Sequence, residues 1–277
     1  INKAIKLYEQ SKFEQSYKLA KKLSKVEEDN EELLSLLTLL MEQKKDYISK
    51  KKYLLKLITI TQEANVFQSL ALLYQNENNL AEAKKYYKKA ISLKPDYVKC
   101  YLYLSLVYSI EYDFAEAEEL IFKAIELTTG TEAAFESYHF LALMYSKADK
   151  YQKALEIYTE LIKAGDKHPE MMFNCAMVCL KLNRYIDGFD LHRYRYHPDK
   201  QHKEALVQGL AVLEKDINIE NKNILILGEQ GNGDVIQFIR YLPLFIKSKA
   251  IIYVIVDKLV LKLLQTSYQN ITFSNVI

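Results

Sequence analysis

Apolar residues recur along this chain at helical spacing, and the pattern itself repeats. Tyr74 and Tyr108, Ala83 and Ala117, and Ala90 and Ala124 each stand 34 positions apart, every one inside an apolar segment of helical period. Self-similarity at that interval predicts stacked helical hairpins, none able to bury its apolar face alone. In the best-formed unit, FQSLALLYQNENNLAEAKKYYKKAISLKP (Phe67–Pro95), the small residues Ala71, Ala83 and Ala90 let two antiparallel helices approach, while aromatic residues fill the space beside them. The scheme repeats at Tyr101, Leu104, Tyr108, Phe114, Ala117 and Ala124. After a three-residue slip it resumes at Tyr138, Leu141, Ala142, Tyr145, Tyr151, Ala154 and Tyr158. A weaker unit runs through Met172, Ala176, Cys179, Tyr185 and Gly188. Two degenerate units come first, one ending in Phe13, Ser16 and Ala20, the other around Leu34, Leu37, Met41 and Tyr47. The expectation is five to six hairpins over residues 1–202, a spacer at 203–222 and a different region at 223–277.

The order of a large residue, Leu70-Ala71, Tyr74, Leu80, Ala83, Tyr87, Ala90 and Pro95 resembles the tetratricopeptide repeat. That resemblance implies a mainly α superhelix whose concave face is lined by the first helix of each unit and holds a peptide or partner helix. In this register the inward positions are Gln68, Leu72, Gln75, Leu102, Leu106, Ser109, His139, Leu143, Ser146, Phe173 and Met177. Leu72, Leu106, Leu143 and Met177 make one row, either an apolar strip for a ligand or partly inter-helix core.

Charge adds little. The chain has 38 basic and 36 acidic side chains among 277 residues, a formal net charge of +2, so no global field recruits nucleic acid or an anionic membrane. Three cysteines are too few for a disulfide framework and point to a reducing, cytoplasmic setting. No uncharged apolar run reaches membrane-spanning length. Cys175 and Cys179, with His192, His197 and His202 downstream, have the composition of a metal cluster but not its close ligand spacing. They read as small core residues, and no metal is expected.

The tail departs from this pattern. Asn223–Leu227 is a branched apolar run of the kind found in buried parallel strands, followed by GEQGNGD and then by apolar residues at helical spacing over Val235–Lys247. A second run at Ala250–Val256, a helical Lys258–Gln265 and a third run at Ile271–Phe273 continue the alternation, which predicts the start of an α/β sheet. A Walker loop is excluded, because Gly233-Asp234-Val235 lacks the Gly-Lys-Ser/Thr ending. The glycines Gly228, Gly231 and Gly233 give G-x-x-G-x-G rather than the dinucleotide fingerprint, although Asp257 stands where a ribose-binding acid would.

The stretch GEQGNGDVIQFIRYLPLF, preceded by repeats and by GFDLHRYRY (Gly188–Tyr196), resembles the opening of the glycosyltransferase region in bacterial proteins that join tetratricopeptide repeats to a GT-B domain. Those proteins are similar to O-GlcNAc transferases and, more distantly, to heptosyltransferases. The resemblance implies a Rossmann-like first half of a GT-B fold, with Asp234 as candidate general base and Gly231, Asn232 and Gly233 offering backbone N–H groups to a phosphate or acceptor. Asp234 also stands where it would serve as a helix N-cap. It further implies a nucleotide sugar for a full-length enzyme, no cofactor for this chain alone, and a fragment or a degenerate relative, because the donor-binding half is not present. The O-GlcNAc transferase column of groove asparagines reads Ser69, Tyr103, Phe140 and Asn174 here, so an asparagine ladder is not expected. The aromatic residues Phe189, Tyr194 and Tyr196 are expected to be buried at the end of the repeats. The expected partner is a protein or peptide, the alternative function is a non-catalytic scaffold, and a homo-oligomer is an open option.

Overall fold

The computed structural model describes residues 1–196, 217–228, 231–268 and 271–274. The chain divides into two compact units, Ile1–His197 and Pro198–Ile277. Most of the spacer expected at 203–222 lies outside the described residues.

The first unit contains twelve α-helices among its described residues: α1 (Asn2–Glu9), α2 (Phe13–Leu23), α3 (Glu31–Gln43), α4 (Tyr47–Ile60), α5 (Ala64–Asn76), α6 (Leu80–Leu93), α7 (Val98–Ile110), α8 (Phe114–Thr128), α9 (Ala133–Lys147), α10 (Tyr151–Lys163), α11 (Pro169–Lys181) and α12 (Tyr185–His192). They pair as six successive hairpins. Each hairpin packs on the next, and along one face α5 touches α7, α7 touches α9 and α9 touches α11. The alanines at 71, 83, 90, 117, 124, 142 and 154 are fully buried, the close helix approach that their size permits. Gly188 takes this further. A β-carbon there would lie 2.6 Å from Leu180 Cδ2, so only glycine lets α12 sit this close to α11.

The hairpin turns keep a register that the side chains do not. Ser11, Lys45, Asn78, Tyr112, Asp149 and Asn183 all have φ between 56° and 63°, one in each hairpin. In every case the next residue returns its N–H to a carbonyl five residues back, as in Asn79 to Tyr74 at 2.8 Å and Arg184 to Cys179 at 2.9 Å. This is a Schellman closure with a non-glycine residue in the left-handed position. The two hairpins whose side-chain pattern is degenerate carry it too. The three-residue slip lies between Tyr112 and Asp149. It lengthens the helices and not the connection: α8 and α9 have 15 residues each, against 14 and 13 in α6 and α7.

The second unit is a small α/β layer: β1 (Asn223–Leu227), α13 (Asn232–Phe238), a 3-10 turn (Ile239–Tyr241), α14 (Leu242–Lys247), β2 (Ile251–Ile255), α15 (Lys258–Ser267) and β3 (Thr272–Ser274). The strands are parallel in the order β1-β2-β3, with Leu225 opposite Tyr253 and Tyr253 opposite Thr272. Ile252, Val254 and Val256 pack with Leu242, Val260, Leu264 and Phe273, while the alternate residues Ile251 and Tyr253 are 53% and 41% exposed. One face of the sheet therefore carries the core. Gly228, directly after β1, donates to Ile255 O at 2.7 Å. A β-carbon there would stand 3.1 Å from Val235 and from Val256, so this glycine seats the first helix against the sheet. Among the described residues no helix is long and apolar enough to cross a membrane.

Candidate binding groove

The face on which the first helices meet is where the inward positions were expected, and they separate into three kinds. Leu72, Leu106 and Leu143 are half-buried, once per hairpin, and Met177 is 41% exposed in the fourth. Gln68, Ser146 and Phe173 are half-buried beside them. Leu102 and Ser109 belong elsewhere: Leu102 is fully buried, and Ser109, 3% exposed, donates to Ser105 O at 2.8 Å. Both are core, because α7 is apolar on every side and turns more of its surface into the stack than its neighbours do. Gln75 is engaged from beneath, its Oε1 accepting the Tyr87 hydroxyl at 2.8 Å.

Between the leucines runs a file of rings. Tyr87 lies 6.2 Å from Tyr103, Tyr103 lies 6.2 Å from Phe140, Phe140 lies 6.4 Å from His139, and His139 lies 6.0 Å from Tyr158. Tyr103 and Phe140 come from the column in which O-GlcNAc transferases place asparagine. Offset or tilted ring pairs at this separation contribute about 0.5–1.5 kcal/mol each. Position within the repeat was the signal for these residues; their cooperation across hairpins was not visible in a single unit.

Asn174, the one asparagine in that column, bonds His139 Nε2 at 3.0 Å. An amide nitrogen only donates, so Nε2 accepts and the ring proton sits on Nδ1. Burial holds the His139 pKa below its ordinary value, with Glu170 pulling the other way. The imidazole is therefore a neutral, bridged member of the groove wall, fixed between α9 and α11. Tyr158, fully buried behind it, has no hydrogen-bond partner for its hydroxyl among the described residues.

In the second unit the loop residues lie as follows. Gly231 is the N-cap of α13, with φ −60°, and Asp234 sits in the first turn with its N–H on Gly231 O at 3.0 Å. The N-cap reading of Asp234 is therefore corrected, because the helix begins three residues earlier than its apolar pattern. Its carboxylate is exposed. Among the described residues, beyond the chain neighbours and the helix's own backbone, nothing lies within 4 Å of the β-carbon positions of Gly231 and Gly233. Asn232 is the first residue of α13 and half-buried. Residues 229 and 230, the centre of the loop, lie outside the described residues. Asp257 is spoken for: its Oδ1 accepts from Leu259 N at 2.8 Å as the N-cap of α15.

At the end of the repeats, Tyr194 packs partly buried against the last core, whereas Phe189 is 66% exposed, contrary to expectation. Phe189 falls on the outer face of α12, away from α11. The side chain of Tyr196 lies outside the described residues. Among the described residues no group of three or more His, Cys, Asp or Glu side chains is placed to hold a metal. His197 and His202 lie outside them.

Two family models described as tetratricopeptide repeat match, at residues 64–97 and 137–170. The chain carries tetratricopeptide repeats. Solved structures agree on the fold. A tetratricopeptide repeat protein from Parabacteroides merdae matches with TM-score 0.62 at 14% identity, over 69% of this chain and 75% of that one. PilW, a type IV pilus biogenesis factor, matches with TM-score 0.57 at 14% identity, over 76% and 90%. A chain of an APC/C hetero-tetramer matches with TM-score 0.54 at 15% identity, over 68% and 37%. No curated protein matches the chain. At these identities the likeness is one of fold, and repeats of this kind present surfaces to other proteins.

Proposed function

We propose that the repeats are a scaffold which holds an apolar or amphipathic segment of a protein partner along Leu72, Leu106, Leu143 and Met177. One observation carries this reading: a half-buried leucine recurs in three successive hairpins on the face where the first helices meet, with exposed Met177 in the fourth, and half-buried rings lie between them. Burial of each such side chain against a partner contributes on the order of 1.5–3 kcal/mol before ordering costs. Few charges lie on the row, so capture depends weakly on salt. Three free, buried cysteines fit a reducing compartment, and we place the protein in the cytoplasm. The test is partner capture by Leu106→Asp and Leu143→Asp variants, made separately. Each should weaken capture and leave helicity and unfolding unchanged; unfolding by either would assign that leucine to the core.

A second reading takes the α/β unit as the start of the acceptor half of a sugar-nucleotide-dependent transferase. It is favoured by the space that the described residues leave over Gly231 and Gly233 and by the exposed Asp234 carboxylate beside them. Under this reading the chain by itself turns over no UDP, GDP or ADP sugar, because a donor-binding half is required as well. Micromolar binding of such a sugar by residues 1–277 in calorimetry would contradict it.

A further inference from the structure

The junction between the α9–α10 and α11–α12 hairpins differs from the three junctions before it. In the earlier ones a tyrosine from the first helix of one hairpin meets a charged residue from the second helix of the preceding hairpin. Lys51 sits over the Tyr74 ring at 3.9 Å and pairs with Glu77; Lys84 sits over Tyr108 at 5.2 Å and bonds Glu111 at 2.6 Å; the Tyr145 hydroxyl donates to Glu118. Continuing the register, the tyrosine becomes Cys179, the charged residue becomes Leu155, and the leucine column of Leu70, Leu104 and Leu141 becomes Cys175. Two large side chains are thus replaced by two small ones. What remains is an open cleft of about 310 Å³ between α10, α11 and α12. Cys175 and Cys179 form part of its lining with Leu155, Ile162 and Leu191, and its polar lining includes Lys163, Arg184 and Asp187.

We propose that this cleft is a binding site for a soft, thiol-seeking trivalent centre carrying one organic group, held by the two sulfurs of Cys175 and Cys179. The residues are one helical turn apart, so both side chains leave α11 on the same side, and both line the cleft. A bent bridge needs two sulfurs that are already neighbours. The organic group occupies the space vacated by the missing tyrosine. Charge selects the class of ligand. Burial pushes Cys175 up to about 12 and raises Cys179, so the site disfavours anything that leaves thiolates behind. An organoarsenic(III) oxide meets that condition: two S–H bonds and the arsenic–oxygen bond break, two S–As bonds form, and the oxygen leaves with both protons as water. The product is neutral and nothing is oxidised or reduced. The ion pair of Arg184 with Asp187, at 2.9 Å, remains in place beside it.

The probe is phenylarsine oxide, added in one equivalent to the native chain at neutral pH and followed by intact mass and by thiol counting after denaturation. The expected result is one adduct per chain, a fall from three titratable thiols to one, a raised melting temperature, and peptide mapping to Cys175 and Cys179. Cys100→Ser should leave the single adduct and its mapping unchanged, with titratable thiols falling from two to none, whereas Cys179→Ser should abolish the bridged adduct. Iodoacetamide, which needs the thiolate, should label the native chain at least tenfold more slowly than the unfolded one. Three thiols still titratable after treatment, an adduct formed only after unfolding, or loss of Cys100 in place of the pair would overturn the proposal. These readings hold on the wild-type chain even if the serine variant folds poorly.

Discussion

Tyr87 and Tyr158 occupy the same place in two hairpins, both wholly buried, and only one has somewhere to put its hydroxyl. In the α5–α6 hairpin the residue twelve positions earlier is Gln75, whose amide oxygen reaches Tyr87 at 2.8 Å. In the α9–α10 hairpin that residue is Ser146, two bonds shorter, and the Tyr158 hydroxyl is left without a partner. The hairpin between them avoids the question, with Ile121 in the tyrosine's place and Ser109 bonded back to its own helix. A repeat thus fixes where a side chain goes but not whether its polar atoms are met. That depends on pairs of positions agreeing, hairpin by hairpin, and a buried polar group left unmet costs about 1–3 kcal/mol.

The comparison breaks most visibly at the sealed middle hairpin. Leu102→Asp should unfold the array or cost more than about 3 kcal/mol by urea titration, because a charge would enter a fully buried site with no counter-charge. Leu106→Asp, four residues on, should leave the midpoint unchanged. Next comes the unmet hydroxyl. Tyr158→Phe should raise stability by about 1 kcal/mol, since it removes the unpaired group and keeps the ring. A loss of stability would mean that the hydroxyl has a partner. The matching change at the satisfied site, Tyr87→Phe, should cost about 1 kcal/mol, so the same substitution has opposite signs in two hairpins.

The smallest expected effect is electrostatic. His139 has a pKa held below its ordinary value of about 6.5 by burial, while Glu170 and Asp166 oppose and His168 assists. In the window between the depressed and ordinary values the unfolded chain binds a proton that the folded chain does not. The contribution is therefore complete above the ordinary value and is lost as pH falls through that window. Melting curves from neutral pH downward should show the loss, and His139→Gln, which keeps an acceptor for Asn174, should flatten it.

Much of this architecture was legible from spacing. Tyr74 with Tyr108 and Ala83 with Ala117 located the hairpins because buried small and aromatic residues must recur wherever helices approach closely. The helix faces were less legible. Leu102 was placed in the groove because α7, VKCYLYLSLVYSI, is apolar all round, and hydrophobicity alone cannot orient such a helix. The extent of α13 was missed for a related reason: Asn232 and Gly233 are poor helix formers, yet they begin the helix before its apolar residues do. The ring file and the unmet hydroxyl depend on contacts between hairpins, which no single period records.

The left-handed turn residues bear on how the array can be strengthened. Asn78 and Asn183 hold that backbone with the side chain best suited to it after glycine. Lys45 holds it with a side chain that gains nothing there, whereas Tyr112, 79% exposed, sets its ring edge-on to Phe114 at 6.1 Å. Every such turn is a place where composition can be altered without touching a groove, a cleft or a core. Asparagine at 45 would draw on that spare capacity, a few tenths of a kcal/mol. The hinge of each hairpin is thus an adjustable part, independent of what the faces recognise.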